Sequence, residues 1–297
     1  MFDWFSPEKA MSIQAASIFN KFSNKNTTPY IPSIVFEIQK QLEDPNCSLL
    51  EVTKSIKKDP VLSLNLMRIA NLRNLGKDVI TKLDHALSAI GLKRTAEFLL
   101  LIALGGFKFH SKIYTKSKFW EESLVAGMIA EKVATDLNLA VSGDLAFISA
   151  SLCNIGKLAG CIYVPEQIDA IYKETQTMPH LPNWTSAEQS LDAIDHRILG
   201  EIAASLWGFP GYILESIQHH HDIPAASRWG KSPATLNDVV IFSNQLSHWI
   251  RLDPCRIDKK VLNESSKLLG LNESQLLKFA NSCMPFRVLA QEQVREM

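Results

Sequence analysis

Helix-start signals recur along the whole chain, while strand signals are almost absent. Ser6-Pro7-Glu8 sets a cap residue, a first-turn proline and an acid in order. Pro32 opens a stretch with Ile34, Val35, Ile38 and Leu42 on one face. Ser48-Leu49-Leu50-Glu51 and Ser186-Ala187-Glu188-Gln189 both read as capping boxes. Asp59 stands as a cap ahead of Pro60, which fits a first helical turn. Gly91 falls where a helix over 81–90 wants a C-terminal residue at positive φ. Punctuation of this kind leaves one class open, an all-α fold with roughly a dozen helices, well above the usual helical share of about a third.

Residues 92–104 are nearly all apolar, which predicts a central, buried helix stopped by Gly105-Gly106. Residues 107–118 carry Lys108, His110, Lys112, Lys116 and Lys118 and read as an exposed link between two helical lobes. The second lobe continues with a long amphipathic helix over 119–137 and a single buried helix over 144–162. A helix over 165–174 and a proline-containing loop over 177–185 follow. Further helices are expected near 196–206, 212–220, 236–250, 259–269 and 274–280.

At 297 residues and 46% apolar content the chain can bury a core without disulfide or metal. Lys plus Arg is 31 and Asp plus Glu is 31, so there is no basic surplus to meet a phosphate backbone, and nucleic acid is not the expected partner. The five cysteines include no C-x-x-C pair, which excludes a zinc ribbon and predicts reduced thiols. The first residues lack the basic start and apolar region of a signal peptide. The longest apolar run, 98–104, is far short of the ~20 residues that span a bilayer. The expectation is a cytoplasmic protein with no membrane segment.

Leu152-Cys153-Asn154-Ile155-Gly156-Lys157-Leu158 is similar to the His-Asp-Ile-Gly-Lys-Leu signature of the HD superfamily of helical metal-dependent phosphohydrolases. Ile31-Pro32, Asp59-Pro60-Val61-Leu62 and Leu66-Met67-Arg68-Ile69-Ala70-Asn71 resemble the opening segments of HDOD domains, the HD-related output domains. Phe119-Trp120-Glu121-Glu122-Ser123 resembles their W-x-H-S element, and Asp195-His196, Leu206-Trp207-Gly208-Phe209-Pro210 and 217–222 their closing segments. The chain is identified on these motifs as a member of the HDOD family. The resemblance implies a two-lobed helical bundle, with an N-terminal helical extension at 1–28, the HDOD-like domain at 29–225 and C-terminal helices at 226–297 packing on it.

An HD phosphohydrolase holds a divalent metal with a His, a His-Asp pair and a later Asp, and the metal supplies hydroxide near neutral pH. Matched to that pattern, the first His is Glu122, the pair is Cys153-Asn154 and the last Asp is Asn244. Every ligand position has changed, and a neutral amide brings no charge to hold an ion. No catalytic residue, cofactor or metal is therefore assigned. The resemblance implies the same, since HDOD domains are thought to have lost this catalysis.

Glu122, Cys153, Asn154, Lys157, His196, His220, His221 and Asn244 are read as remnants of a ligand-binding pocket. Lys157 is expected to pair with an acid such as Asp144 or Glu122. Cys153 reads as a small buried residue rather than a nucleophile, because apolar burial raises a thiol pKa. Trp120 and Trp207 read as core anchors. Three successive histidines on a helix point about 100° apart, so 219–221 cannot aim three nitrogens at one ion. One or two of them can face His196, with His220 or His221 as structural hydrogen-bonders, His219 solvated, and Asp222 close only if the helix end folds back. A metal held by His196 and one of that pair would be underfilled.

The resulting expectation is a non-catalytic bacterial signalling module that binds a partner protein or a nucleotide-like ligand. The alternative is a degenerate metal-dependent phosphohydrolase or cyclic-nucleotide phosphodiesterase, using Glu122, Cys153, His196 and a residue of 220–222.

Overall fold

The computed structural model describes residues 31–73, 79–177, 184–252 and 257–295. The expected N-terminal extension, Cys255 and most of the loop at 177–185 lie outside these residues. Sixteen α-helices and one 3₁₀ turn, and no strand, are present among the described residues.

The first lobe comprises α1 (Ser33–Leu42), α2 (Leu49–Ile56), α3 (Pro60–Arg73), α4 (Leu83–Ile90) and α5 (Leu92–Gly105). Its start signals work as the residues suggest. Ser48 and Glu51 form a reciprocal capping box, and Asp59 Oδ1 accepts from the amides of Val61 and Leu62. Gly91 joins α4 to α5 at φ +85°, which a side chain would disfavour.

The second lobe is built on α6 (Lys116–Asp136), α7 (Gly143–Leu152), α8 (Ile155–Tyr163), α9 (Pro165–Thr177), α10 (Trp184–Ser190), α11 (His196–Leu206) and α12 (Gly211–His219). After the 3₁₀ turn Ala226–Arg228, α13 (Leu236–Ile250) packs on α6 and α7. The chain continues through α14 (Lys259–Leu268), α15 (Glu273–Cys283) and α16 (Pro285–Arg295), the last returning onto α6. One hydrophobic core runs through both lobes, with Phe98 of α5 stacked on Phe147 of α7 at 5.5 Å.

Four expectations need correction. The helix predicted over 144–162 is interrupted at Cys153-Asn154, giving α7 and α8. The Cys153 thiol donates to Ala150 O, and Asn154 turns out of helical geometry at φ −93°, ψ 15°. The Gly143–Tyr163 stretch is apolar enough by length and composition to cross a membrane, unlike the 98–104 run, and its window is 89% buried inside the bundle.

Ser186 is not a cap, because α10 already starts at Trp184. The link at 107–118 is not merely solvated. Phe107 and Tyr114 are buried in it, and the Asp169 carboxylate of α9 accepts from the amides of Lys112, Ile113 and Tyr114 at 2.6, 2.8 and 3.0 Å. Helix α16, whose residues lack a start signal strong enough to be singled out, is additional.

Candidate functional site

Glu122 lies on α6 and is fully buried. Lys157, one turn into α8 and 1% exposed, donates to Glu122 Oε1 at 2.6 Å. Of the two acids considered for Lys157, Glu122 therefore supplies the contact. The other Glu122 oxygen accepts from Tyr114 OH at 3.1 Å and faces Nη1 of Arg251, the residue that caps the end of α13, at 3.4 Å. The Lys157 ammonium also sits 4.7 Å from the Trp184 ring centroid. A buried carboxylate is thus compensated by two cations and a phenol, as burial of charge demands.

Cys153 and Asn154 occupy the interruption between α7 and α8. Burial pushes the Cys153 thiol up to about 12, against the pull of the Lys157 charge. Asn154 Nδ2 donates to Asn244 Oδ1 of α13 at 2.7 Å. The matched positions thus come from three parts of the chain: Glu122 from α6, the adjacent Cys153 and Asn154 from the interruption between α7 and α8, and Asn244 from α13.

Their chemistry does not fit the divalent ion of a phosphohydrolase. The carboxylate already carries an internal ammonium, the thiol is held protonated, and the two amides bond to each other without supplying charge.

A second cluster lies across Trp184. Gly156 packs against α11 so closely that a Cβ there would stand 1.6 Å from His196 O and 2.7 Å from Gly200 N. This contact seats the start of α11, where Asp195 caps the helix by accepting from Arg197 N. His196 is fully buried. Its Nδ1 lies 3.0 and 3.1 Å from the two Glu188 oxygens. Glu188 Oε1 also accepts from Trp184 Nε1 and from the His196 amide, both at 2.9 Å.

His196 Nε2 faces His220 Nε2 at 3.1 Å and His221 Nε2 at 3.2 Å. Both residues of the run therefore reach His196. The third, His219, is exposed and bonds Asp222 at 2.7 Å, so Asp222 does not join the cluster. His220 ends α12 as its cap, and its Nδ1 bonds Ile217 O at 2.8 Å. Burial, and then the cost of a second charge beside His196, hold His220 well below the usual imidazole range, and burial with the same cost beside His220 and His196 does so for His221.

Trp120 and Trp207 are core residues, at 0% and 3% exposure. Sequence reasoning missed Tyr114, Trp184, Glu188 and Arg251. Glu188 stands eight residues before His196, across a turn, and no local pattern announces such a pairing.

The model of the HDOD domain matches residues 28–223. The chain belongs to the HDOD domain family. Helices α13 to α16 lie beyond the matched residues, yet α13 supplies Asn244 to the site and its cap residue supplies Arg251. A crystal structure of an HDOD domain protein of unknown function from Geobacter sulfurreducens is similar at TM-score 0.68 and 18% identity, covering 94% of this chain and 98% of that one. A proposed phosphohydrolase of Shewanella amazonensis SB2B is similar at TM-score 0.67, 18% identity and the same coverage. A proposed signal transduction protein of Marinobacter aquaeolei VT8 is similar at TM-score 0.67 and 15% identity, over 95% of this chain and 64% of that one. These likenesses carry the all-α HDOD fold. An uncharacterized protein of Treponema pallidum (strain Nichols) is 24% identical over 239 residues, and the matched part spans 77% of this chain and 43% of that protein, under half its length.

Proposed function

We propose that this HDOD protein is a bacterial regulatory module that works by binding and does not hydrolyse phosphate esters at the Glu122 centre. The observation that carries the reading is the Lys157–Glu122 contact at 2.6 Å. An HD centre uses this region to hold a metal whose bound water attacks phosphorus. Here the carboxylate is committed to a side-chain ammonium, and the amide pair Asn154–Asn244 offers nothing to activate water. What remains is a two-lobed helical scaffold, and a signalling protein partner or a nucleotide-like ligand is the class of molecule it would answer to. The free thiols Cys47, Cys153, Cys161 and Cys283 suit a reducing cytoplasm.

The test is turnover of bis(p-nitrophenyl) phosphate and of cyclic dinucleotides by the untagged full chain, with manganese, iron or zinc added. The expected rate is that of the buffer. Turnover that disappears in Glu122→Gln would overturn the reading in favour of a degenerate phosphohydrolase.

A further inference from the structure

We infer that His196, His220 and His221 form a three-histidine site for a divalent transition-metal ion of the zinc class. This inference is independent of the regulatory reading and concerns different side chains from the Glu122 centre. One nitrogen from each of the three rings lies within 4.8 Å of the other two. His196 Nε2 stands 3.1 and 3.2 Å from the Nε2 atoms of His220 and His221. Two imidazole nitrogens bound to one ion at about 2.0–2.1 Å are separated by about 2.9 Å at a right angle and about 3.4 Å at a tetrahedral angle. The observed spacings fall between these values.

The hydrogen bonds on the far side of two rings point the same way. Ile217 O can only accept, so His220 Nδ1 carries a hydrogen. Glu188 Oε1 takes hydrogen bonds from Trp184 Nε1 and the His196 amide, and as a carboxylate it accepts from His196 Nδ1 as well. With Nδ1 of both rings protonated, neutral His196 and His220 turn bare lone pairs at each other across 3.1 Å. Such an approach is repulsive unless a cation stands between them. A metal ion accepts both lone pairs and that of His221. Glu188 and the Ile217 carbonyl then act as outer partners that fix each ring, the usual arrangement behind metal-bound histidines.

A single extra proton shared between the rings is the competing cation, and it makes a different forecast. Neutral imidazoles without a thiolate or carboxylate ligand suit zinc, cobalt, nickel or ferrous iron over magnesium or calcium. His221 is the partly exposed member and gives the ion a way in.

The experiment uses the untagged full chain, stripped with a chelator, dialysed and titrated with Co²⁺ under anaerobic conditions. The expected result is one equivalent bound with the visible absorption of a low-coordinate cobalt centre, displaced by Zn²⁺. His221→Asn and His196→Asn should abolish the band. Cys153→Ser should retain it, which separates the histidines from the nearby thiol. Glu188→Gln should weaken binding by about 10–100-fold. Circular dichroism establishes that each variant is folded, and the partly exposed His221 keeps the test valid if His196→Asn does not fold. Absence of a stoichiometric band, or a band untouched in folded His221→Asn, would overturn the inference and leave a proton between the rings.

Discussion

At the scale of single residues, the Glu122–Lys157 pair has the largest measurable consequence. Both side chains are 1% exposed. Lys157→Met takes from Glu122 the ammonium that stands 2.6 Å from it, and removing one partner of such a pair costs about 3–5 kcal/mol. Urea denaturation should show that loss, and the double change Glu122→Leu with Lys157→Met should recover most of it. With its thiol pKa at about 12, Cys153 should resist iodoacetamide at pH 8 in the native protein and react only as the chain unfolds, a difference that intact-mass measurement follows. The Glu122–Lys157 contact was legible as one of two pairings, because Lys157 follows a recognisable motif. The pairing of Glu188 with His196 was not, since it depends on where α10 docks. That one or two of 219–221 can face His196 was legible in the run, and the structure brings both His220 and His221 there. His220 caps the end of α12, so His221 lies past the helix, where the 100° spacing no longer applies.

Among elements, the crossing of α8 and α11 decides where His196 stands. Gly156→Ala would drive a methyl into the His196 carbonyl, a backbone atom that cannot swing away. The expected loss is about 3 kcal/mol or more, at or beyond the upper end of ordinary overpacking, together with weaker metal binding at His196. The Asp169 clamp holds the link between lobes through three amides. Those bonds hold the Asp169 carboxyl below its ordinary range despite the opposing effect of burial. A carboxylate with a lowered folded pKa stabilises above its unfolded pKa and loses that contribution as pH falls through the folded value. Asp169→Ala should therefore cost about 1–2 kcal/mol at pH 7, allowing for partial exposure, and progressively less in acid, as denaturation at pH 7 and pH 3 will reveal. Helix identity was largely readable from caps and apolar spacing, as Ser48, Asp59 and Gly91 illustrate. The interruption at Cys153-Asn154 was hidden because its residues continue an apolar run, and the folded link was hidden because its acceptor, Asp169, lies more than fifty residues away.

For the molecule as a whole, the C-terminal helices are the instructive part. The HDOD match ends at residue 223. Helix α13 nevertheless buries Val239, Val240, Phe242 and Leu246 in the common core and brings Asn244 and Arg251 to the site. A chain cut after residue 225 would leave the matching faces of α6 and α7 open to water. It should be insoluble or molten, with weak near-ultraviolet dichroism, whereas the full chain should unfold in a single thermal transition because one core serves both lobes. Lys157 has a consequence of another kind. An ammonium that belongs to the polypeptide cannot dissociate, be chelated or be traded for a neighbouring element, so the Glu122 carboxylate has its cation as soon as the chain folds. Scarcity or excess of metal has no grip on that pair, and any responsiveness to metal supply that this protein possesses would have to reside in its histidines.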